Sequence, residues 1–381
     1  MKVLFLVNNF PDNKNPYGGV FVYNQVKALV AAGIDVQVLY LDFRSIRRLR
    51  RWGMSTYQYN GISIYHYSIP CGPFKKLYYW LINHSTIRAF RKVCDKEGEF
   101  DLIHAHFTDM GLAARAIQSV KDVKYILTEH SSTLLQKEHS EEEQKHLYAA
   151  YEKADKILAV GTELKKRMQV YTKQSIEVVP NILPSRFCIC EDVAKDVNSF
   201  VFISVVGTLT KEKKVDVLLE AFYKLHKEAP NTLLRICGEG NLMEELKKKV
   251  SEYGINDSVE FLGVVDNFSL PQLLNQCDCF VLPSVMETFG VVYIEAGGCG
   301  LPLISANSGG TKDIIDSDNG IIIENADVED VYEAMRDVML NKSKYISQKI
   351  SEDIRKKFGE QAFQNKIIKI YTEVCGTRDD V

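Results

Sequence analysis

No apolar run in this 381-residue chain reaches the roughly 18 residues of a membrane-spanning helix. The opening MKVLFLVNNF has one lysine and five apolar residues before Asn8, too few for the core of a secretion signal, so the chain is expected to be cytoplasmic. Charge of one sign is also scarce. A net charge of −3 gives no global attraction to nucleic acid, although charge can still be concentrated locally, and no nucleic-acid partner is expected. Cys-x-x-Cys does not occur. The nine cysteines are odd in number and scattered in apolar surroundings, with two Cys-x-Cys pairs at Cys188/Cys190 and Cys277/Cys279, which excludes a disulfide framework and a zinc ribbon. Neither a repeat with a period of roughly 20 to 50 residues nor a low-complexity segment is present, which removes solenoids and linker proteins.

What is present is a pattern that starts twice. Apolar content of 46% is ample for two cores, and the length exceeds that of a single core. In the first half, KVLFLVN, IDVQVLYL, FDLIHAH, VKYILTEH and KADKILAVG alternate with segments of helical period such as GGVFVYNQVKALVAAG. Short apolar runs between polar breakers are strands covered on both faces, hence a parallel sheet with crossover helices. SFVFISVVG begins the same style again, followed by TLLRICG, SVEFLG, CFVLPS and LPLISA with helices between them. The expected organisation is a first domain over 1–185, a linker over 186–199 and a second domain over 200–360. A C-terminal helix, 361–381, is expected to pack back on the first domain. Open parallel sheets bind ligands beyond the carboxyl ends of their strands, so two facing sheets imply a cleft.

The stretch LPSVMETFGVVYIEAGGCGLPLIS, residues 282–305, is the densest in chemistry. CFVLPS reads as a strand, VMETFG as the turn at its carboxyl end and VVYIEAGG as a helix. Gly290 lets the backbone approach a ligand, and the free amides from Val291 onward face an anion such as a diphosphate. Glu287 and Glu295 are acceptor-only when ionised, which suits ligand hydroxyls. The bland alternative is a solvated loop acid and an accidental buried one, but a carboxylate inside VVYIEAGG needs a partner.

This stretch resembles the Glu-x-Phe-Gly-x-x-x-x-Glu signature of the retaining, nucleotide-sugar-dependent glycosyltransferases of GT-B fold, family 4 (glycosyl transferases group 1). The matching residues are Glu287, Phe289, Gly290 and Glu295, then Ala296, Gly300 and Pro302. Weaker blocks occur in the family's order: DLIHAH, LTEH, VPN, GTLTKEKKVDVLLEAF, ICGEG, VEFLG, SGGTKDII and NGIII. The resemblance implies an α/β fold of two Rossmann-like domains with parallel sheets facing across a central cleft. It also implies a metal-independent hexosyltransferase that moves a sugar from a nucleotide diphosphate to an acceptor hydroxyl in cell-surface polysaccharide or glycolipid synthesis. A UDP-sugar is placed ahead of a GDP-sugar, the acceptor is lipid-linked or saccharide, and no cofactor is expected. Glu287 would hold donor-sugar hydroxyls, Glu295 the ribose diol, Lys213 the diphosphate, and His130 would orient the sugar.

Departures and weaker positions surround these. Thr208 stands where the family's clamp has arginine and Lys214 where it has glycine, leaving Lys211 or Lys214 to supply charge. Gly18 and Gly19 fit close approach to phosphate or acceptor, or a plain turn. Of His104 and His106, at most one is expected to face the cleft. SGGTKDII offers the amides of Gly309 and Gly310, with Asp313 where the family often has glutamate. Asp316-Ser317-Asp318 fits a metal-holding Asp-x-Asp but reads as a solvated turn. Two rival readings are a nucleotide-sugar epimerase and a non-catalytic partner of another transferase, the latter favoured by Thr208. Residues 44–92 hold ten Lys or Arg, no Asp or Glu, ten aromatics and both tryptophans. Because the whole carries −3, the rest carries −3 − 10 = −13. Such segregation fits either a solvated basic face over core aromatics or an anionic membrane surface; the second is the expectation, with the protein peripheral at the inner face of the membrane.

Overall fold

In the strand KVLFLV, β1 (Lys2–Val7), every residue after Lys2 is buried, as cover on both faces requires. The computed structural model describes residues 1–12, 15, 18–43, 52–71, 75–135 and 139–376. Arg47, Arg48, Arg50 and Arg51 of the basic segment lie outside them. After β1 come α1 (Val20–Ala31), β2 (Asp35–Asp42) and a hairpin of β3 (Gly53–Tyr59) with β4 (Ile62–Ser68). Asn60 and Gly61, with φ of 49° and 82°, close that hairpin in the left-handed geometry its twist demands. The chain continues through α2 (Lys75–Glu97), β5 (Leu102–His106), α3 (Thr108–Gln118) and β6 (Lys124–Glu129). Then follow α4 (Glu141–Glu152), β7 (Lys156–Ala159), α5 (Thr162–Met168) and β8 (Ile176–Val178). The sheet order is β3-β4-β2-β1-β5-β6-β7-β8, parallel except between β3 and β4.

The second sheet is wholly parallel, in the order β11-β10-β9-β12-β13-β14. Its chain runs β9 (Phe200–Thr208), α6 (Val215–Glu228), β10 (Thr232–Glu239), α7 (Met243–Tyr253), β11 (Val259–Gly263) and α8 (Leu270–Asn275). It goes on through β12 (Cys279–Leu282), α9 (Val291–Gly298), β13 (Leu303–Ala306), β14 (Gly320–Ile323), α10 (Val328–Leu340) and α11 (Ser347–Phe358). Finally α12 (Glu360–Cys375) returns to the first sheet, with Phe363, Ile367, Ile370 and Tyr371 in the core that β1 and α1 build.

Chain contacts define one unit of Met1–Ile182 with Gln361 onward, and another of Leu183–Glu360. The first domain therefore ends at 182 instead of 185, and the expected linker 186–199 belongs to the second unit. Phe187 is fully buried and its carbonyl accepts from Arg355 Nη2 at 2.7 Å, while Asn275 holds the backbone of Cys188 and Cys190 at 2.9 Å each. A stretch without helical or strand period reads as linker, yet its backbone is satisfied by side chains far along the sequence. All nine cysteines are free thiols, and no described helix is long and apolar enough to cross a membrane.

Each sheet has one place where neighbouring strands send their crossovers in opposite directions: β1 beside β5, and β9 beside β12. The carboxyl ends of such a pair stay open, and ligands of doubly wound folds bind there. A separate constraint ties α12 to that edge of the first sheet. His104 on β5 is fully buried, its Nδ1 2.6 Å from the Tyr371 hydroxyl and its Nε2 2.7 Å from Thr128 Oγ1. Tyr371→Phe strands one ring nitrogen without water, which costs about 1–3 kcal/mol. A lower urea midpoint should follow, and an unchanged midpoint would show that His104 finds another partner.

Candidate functional site

In the second unit, the loops after β9 and β12 meet at the open crevice. β9 ends at Thr208, exposed and paired in the ladder with Glu239. A single 3-10 turn, Lys211–Lys213, follows and leads into α6 through Lys214. Lys214 has φ 54° and ψ 34°, the left-handed region that costs a side-chain-bearing residue roughly 1–2 kcal/mol. The family's glycine at this position thus has a conformational reason, and the lysine carries the strain. Residues 283–290 after β12 lie against this turn, with the Val285 amide donating to the Glu212 carbonyl at 2.9 Å. Across that seam Lys213 Nζ donates to Glu287 Oε1 at 2.7 Å, and both side chains keep partial access to solvent.

Gly290 stands before α9 with φ 93°, and a Cβ there would lie 2.7 Å from the Tyr293 ring. Only glycine meets both demands. No side chain caps α9, and the amides of Val291 and Val292 have no backbone acceptor among the described residues. The start of the helix is therefore a ready anion site beside Lys213. Tyr293 steadies the strand end, donating from its hydroxyl to the Leu282 carbonyl at 2.6 Å.

Glu295, one turn further along α9, is 7% exposed, and its carboxylate makes no hydrogen bond to the described residues. Burial raises its pKa from the usual 4.5 to about 8, against the attraction of Arg186. Arg186 itself donates to the Asn267 carbonyl and sits over the rings of Phe187 and Phe268. A buried acid in this state is a costly arrangement that a diol donating two hydrogen bonds would relieve.

Other candidates are placed differently. The ring of Phe289 is core, packed on Phe358, so only its backbone borders the loop. Gly310 does not offer its amide to a ligand, because that amide donates to the Glu287 carbonyl at 3.1 Å. A Cβ on Gly310 would lie 2.3 Å from Phe289 Cα, so this glycine lets the 3-10 turn Gly309–Asp313 rest on the signature loop. Asp316 and Asp318 pair with Lys357 and Lys349 in a surface turn. Among the described residues no group of three or more His, Cys, Asp or Glu is placed to hold a metal.

His130 belongs to the first unit, just past β6. Its Nε2 lies 3.0 Å from His106 Nδ1, and burial lowers its pKa to about 3, so the ring is neutral near pH 7. His106 Nε2 and His130 Nδ1 are buried without partners among the described residues. His104 and His106, two residues apart on a strand, share one face of the sheet instead of alternating, with rings 4.4 Å apart, while both ring nitrogens of His104 are taken up by Tyr371 and Thr128. At the start of α1, Gly19 has φ 66° and a Cβ there would lie 2.4 Å from the Asn9 carbonyl oxygen, so the close approach it permits is to the chain's own backbone. Sequence reasoning missed the Lys213–Glu287 pair and Arg186; only the lysine's place in its block hinted at the first.

The family model for glycosyl transferases group 1 matches residues 191–364, and that for glycosyltransferase family 4 matches 18–184. The phosphatidylinositol N-acetylglucosaminyltransferase GPI3 subunit of Saccharomyces cerevisiae is 22% identical over 377 residues, 94% of this chain and 81% of that protein. Sucrose-phosphate synthase from Thermosynechococcus elongatus superposes with a TM-score of 0.77 at 18% identity, covering 98% of this chain and 99% of that one. The Anabaena protein HepE, solved with UDP and glucose, gives 0.74 at 18% identity, covering 98% and 100%. The two mostly parallel sheets are thus those of a two-domain, Rossmann-like GT-B fold.

The titration of Glu295 yields a test that needs no substrate. Its carboxyl holds a proton up to about pH 8 in the folded chain and only to about 4.5 when unfolded. The cost of burying it is absent below 4.5, grows between 4.5 and 8, and is complete above. Glu295→Gln should therefore stabilise the protein by on the order of 5 kcal/mol near pH 9 and hardly at all near pH 4.5. Urea midpoints across that range measure it, and a gain independent of pH would refute the assignment.

Proposed function

Because this chain belongs to the group 1 glycosyltransferases of family 4 type, we propose that it transfers a hexose from a nucleotide diphosphate, UDP ahead of GDP, to an acceptor hydroxyl with retention of anomeric configuration. The observation that carries this reading is the gathering of Lys213, Glu287 and the buried Glu295 around the open start of α9, at the strand-order reversal of the second sheet. Glu295 accepts from the ribose diol. The Val291 amide and Lys213 meet the diphosphate, and Glu287, positioned by its pair with Lys213, takes hydroxyls of the sugar. The bond from the anomeric carbon to the phosphate oxygen breaks, the acceptor oxygen bonds on the same face, and its proton passes to the leaving phosphate oxygen. Lys213 and the helix amides stabilise that charge, so no metal is invoked. His130, neutral and held by His106, orients the sugar. The setting is cell-surface polysaccharide or glycolipid synthesis at the cytoplasmic face of a membrane, with a lipid-linked or saccharide acceptor.

Glu295→Ala should weaken both free nucleotide and nucleotide sugar by about ten- to a hundredfold, whereas Glu287→Ala should spare free nucleotide and damage transfer. Calorimetric titration, with turnover measured in excess chelator, decides. Equal effects on free nucleotide would undo the division of roles, and loss of turnover rescued by manganese would undo metal independence. Binding without any donor turnover would favour the non-catalytic partner that Thr208 suggests.

Docking on a membrane draws on the charge segregation of residues 44–92 and on Trp52 and Trp80, each more than half exposed. Wild type should float with anionic vesicles at low salt, and a variant with Arg47, Arg48, Arg50 and Arg51 changed to Ser should float less. Equal flotation of the two, or none by wild type, would leave a soluble acceptor as the reading.

A further inference from the structure

We propose that the first unit carries a two-part amphiphile site, a polar pocket for a hydroxylated headgroup beside an apolar trough for a hydrocarbon chain, and that the acceptor is therefore lipid-linked. This rests on the transferase reading only in calling the ligand an acceptor.

The polar part is a cavity of about 350 Å³ at the carboxyl ends of β1, β5 and β6. Asp109, Ser131, Glu143, His139 and His146 line it, and the lining has no lysine or arginine among the described residues. His139 Nε2 and His146 Nδ1 are buried there without hydrogen-bond partners among the described residues. Tyr78 donates to Asp109 Oδ2 at 2.6 Å, which fixes that carboxyl at the wall. Carboxyls, hydroxyls and imidazole nitrogens suit the hydroxyls of a polyol, and the two carboxyls disfavour an anion. At the pocket's edge, Phe107 has φ 72° and ψ 154°, a backbone region nearly confined to glycine. Strain of that kind persists where a site requires it, here where β5 passes into α3.

The apolar part, about 430 Å³, lies between α2, α3 and α4. Ile87, Leu112, Ala116 and Ala149 form its floor, one stripe from each helix, and the two alanines leave the space open. Asn83, His84, Arg115 and Ser119 also line it, with the Arg115 guanidinium engaged by the Ala149 carbonyl and Glu152. Tyr79 and His146 line both parts, and their rings, packed 3.6 Å apart, form the wall the two share. Both volumes fall in the roughly 300–1,000 Å³ typical of small-molecule sites. Beside the trough α2 exposes Leu77 and Trp80, followed by Arg88, Arg91 and Lys92 on the same helix. An occupant running from the strand ends through the trough reaches this apolar and basic surface, and a hydrocarbon chain with a polyol head fits that sequence of environments. A free saccharide would leave the trough bare.

Alkyl maltosides of eight to twelve carbons, kept below their micelle thresholds, test this on the full chain by calorimetry. Affinity should rise with chain length, by up to about fourfold per methylene, and exceed that of maltose. Ala116→Trp, which fills the trough, should abolish the chain-length dependence while free-nucleotide binding by the second unit is unchanged; Ile87→Asn serves if that variant does not fold. Maltose binding as tightly as dodecyl maltoside, or chain-length dependence surviving in the variant, would overturn the proposal and return the acceptor to a soluble glycan. Should nucleotide binding fail while dodecyl maltoside still binds, the transferase reading falls and the amphiphile site stands.

Discussion

The reversal of strand order between β9 and β12 is the constraint from which the site follows. Each strand sends its crossover helix away from the other, so the backbone groups at their carboxyl ends cannot be covered by either connection. Two loops must share that crevice, and they are stitched together by the Val285 to Glu212 hydrogen bond and the Lys213–Glu287 pair. Because both side chains keep partial solvent access, the pair adds little stability: exposed ion pairs contribute about 1 kcal/mol or less. Its consequence is geometric, since it holds a cation and an acceptor side by side where free helix amides begin.

Glu295 shows the opposite economy. A carboxyl nearly out of water, with no hydrogen bond to hold its charge, lowers the stability of the empty protein at neutral pH. The unpartnered nitrogens of His106 and His130 repeat the pattern in the first unit. Buried polar groups in folded proteins are ordinarily satisfied, so these positions are departures from the rule.

Much of this was legible from residues alone. Apolar runs with breakers yielded most strands of both sheets, because a strand buried on two faces has little freedom in composition; the half-exposed hairpin β3–β4 and the three-residue β8 lack such a run and were not among them. The turn at Gly290 and the buried position of Glu295 followed from a glycine and an acid set in an apolar helix. Where the reading failed, long-range satisfaction was the cause. Residues 186–199 lack any period, yet Asn275 and Arg355 fasten them to the second unit. Gly310 offers an amide in sequence, but the Glu287 carbonyl takes it. His104 and His106 were misjudged for a simpler reason, the two-residue period of a strand. The trough between α2, α3 and α4 had no signal at all, being made of ordinary helix residues whose smallness matters only once three helices meet.

Backbone strain ties the two units together as a pattern. Among the described residues only Asn60, Phe107 and Lys214 have positive φ without being glycine. Asn60 is accounted for by its hairpin turn. Phe107 follows β5 and Lys214 follows β9, each beside the strand-order reversal of its own sheet. Glycine would remove the penalty at either place, so neither strain is forced by the fold. At Phe107 the side chain borders the polar pocket and lies against His130, at 5.2 Å between rings, which gives a reason to keep a phenyl group there. At Lys214 the charge stands one residue from Lys213, in the loop where Thr208 replaces the family's arginine. A lysine that tolerates a glycine's conformation so close to a missing cation is the arrangement expected if charge, not backbone comfort, sets the choice of residue at the start of α6.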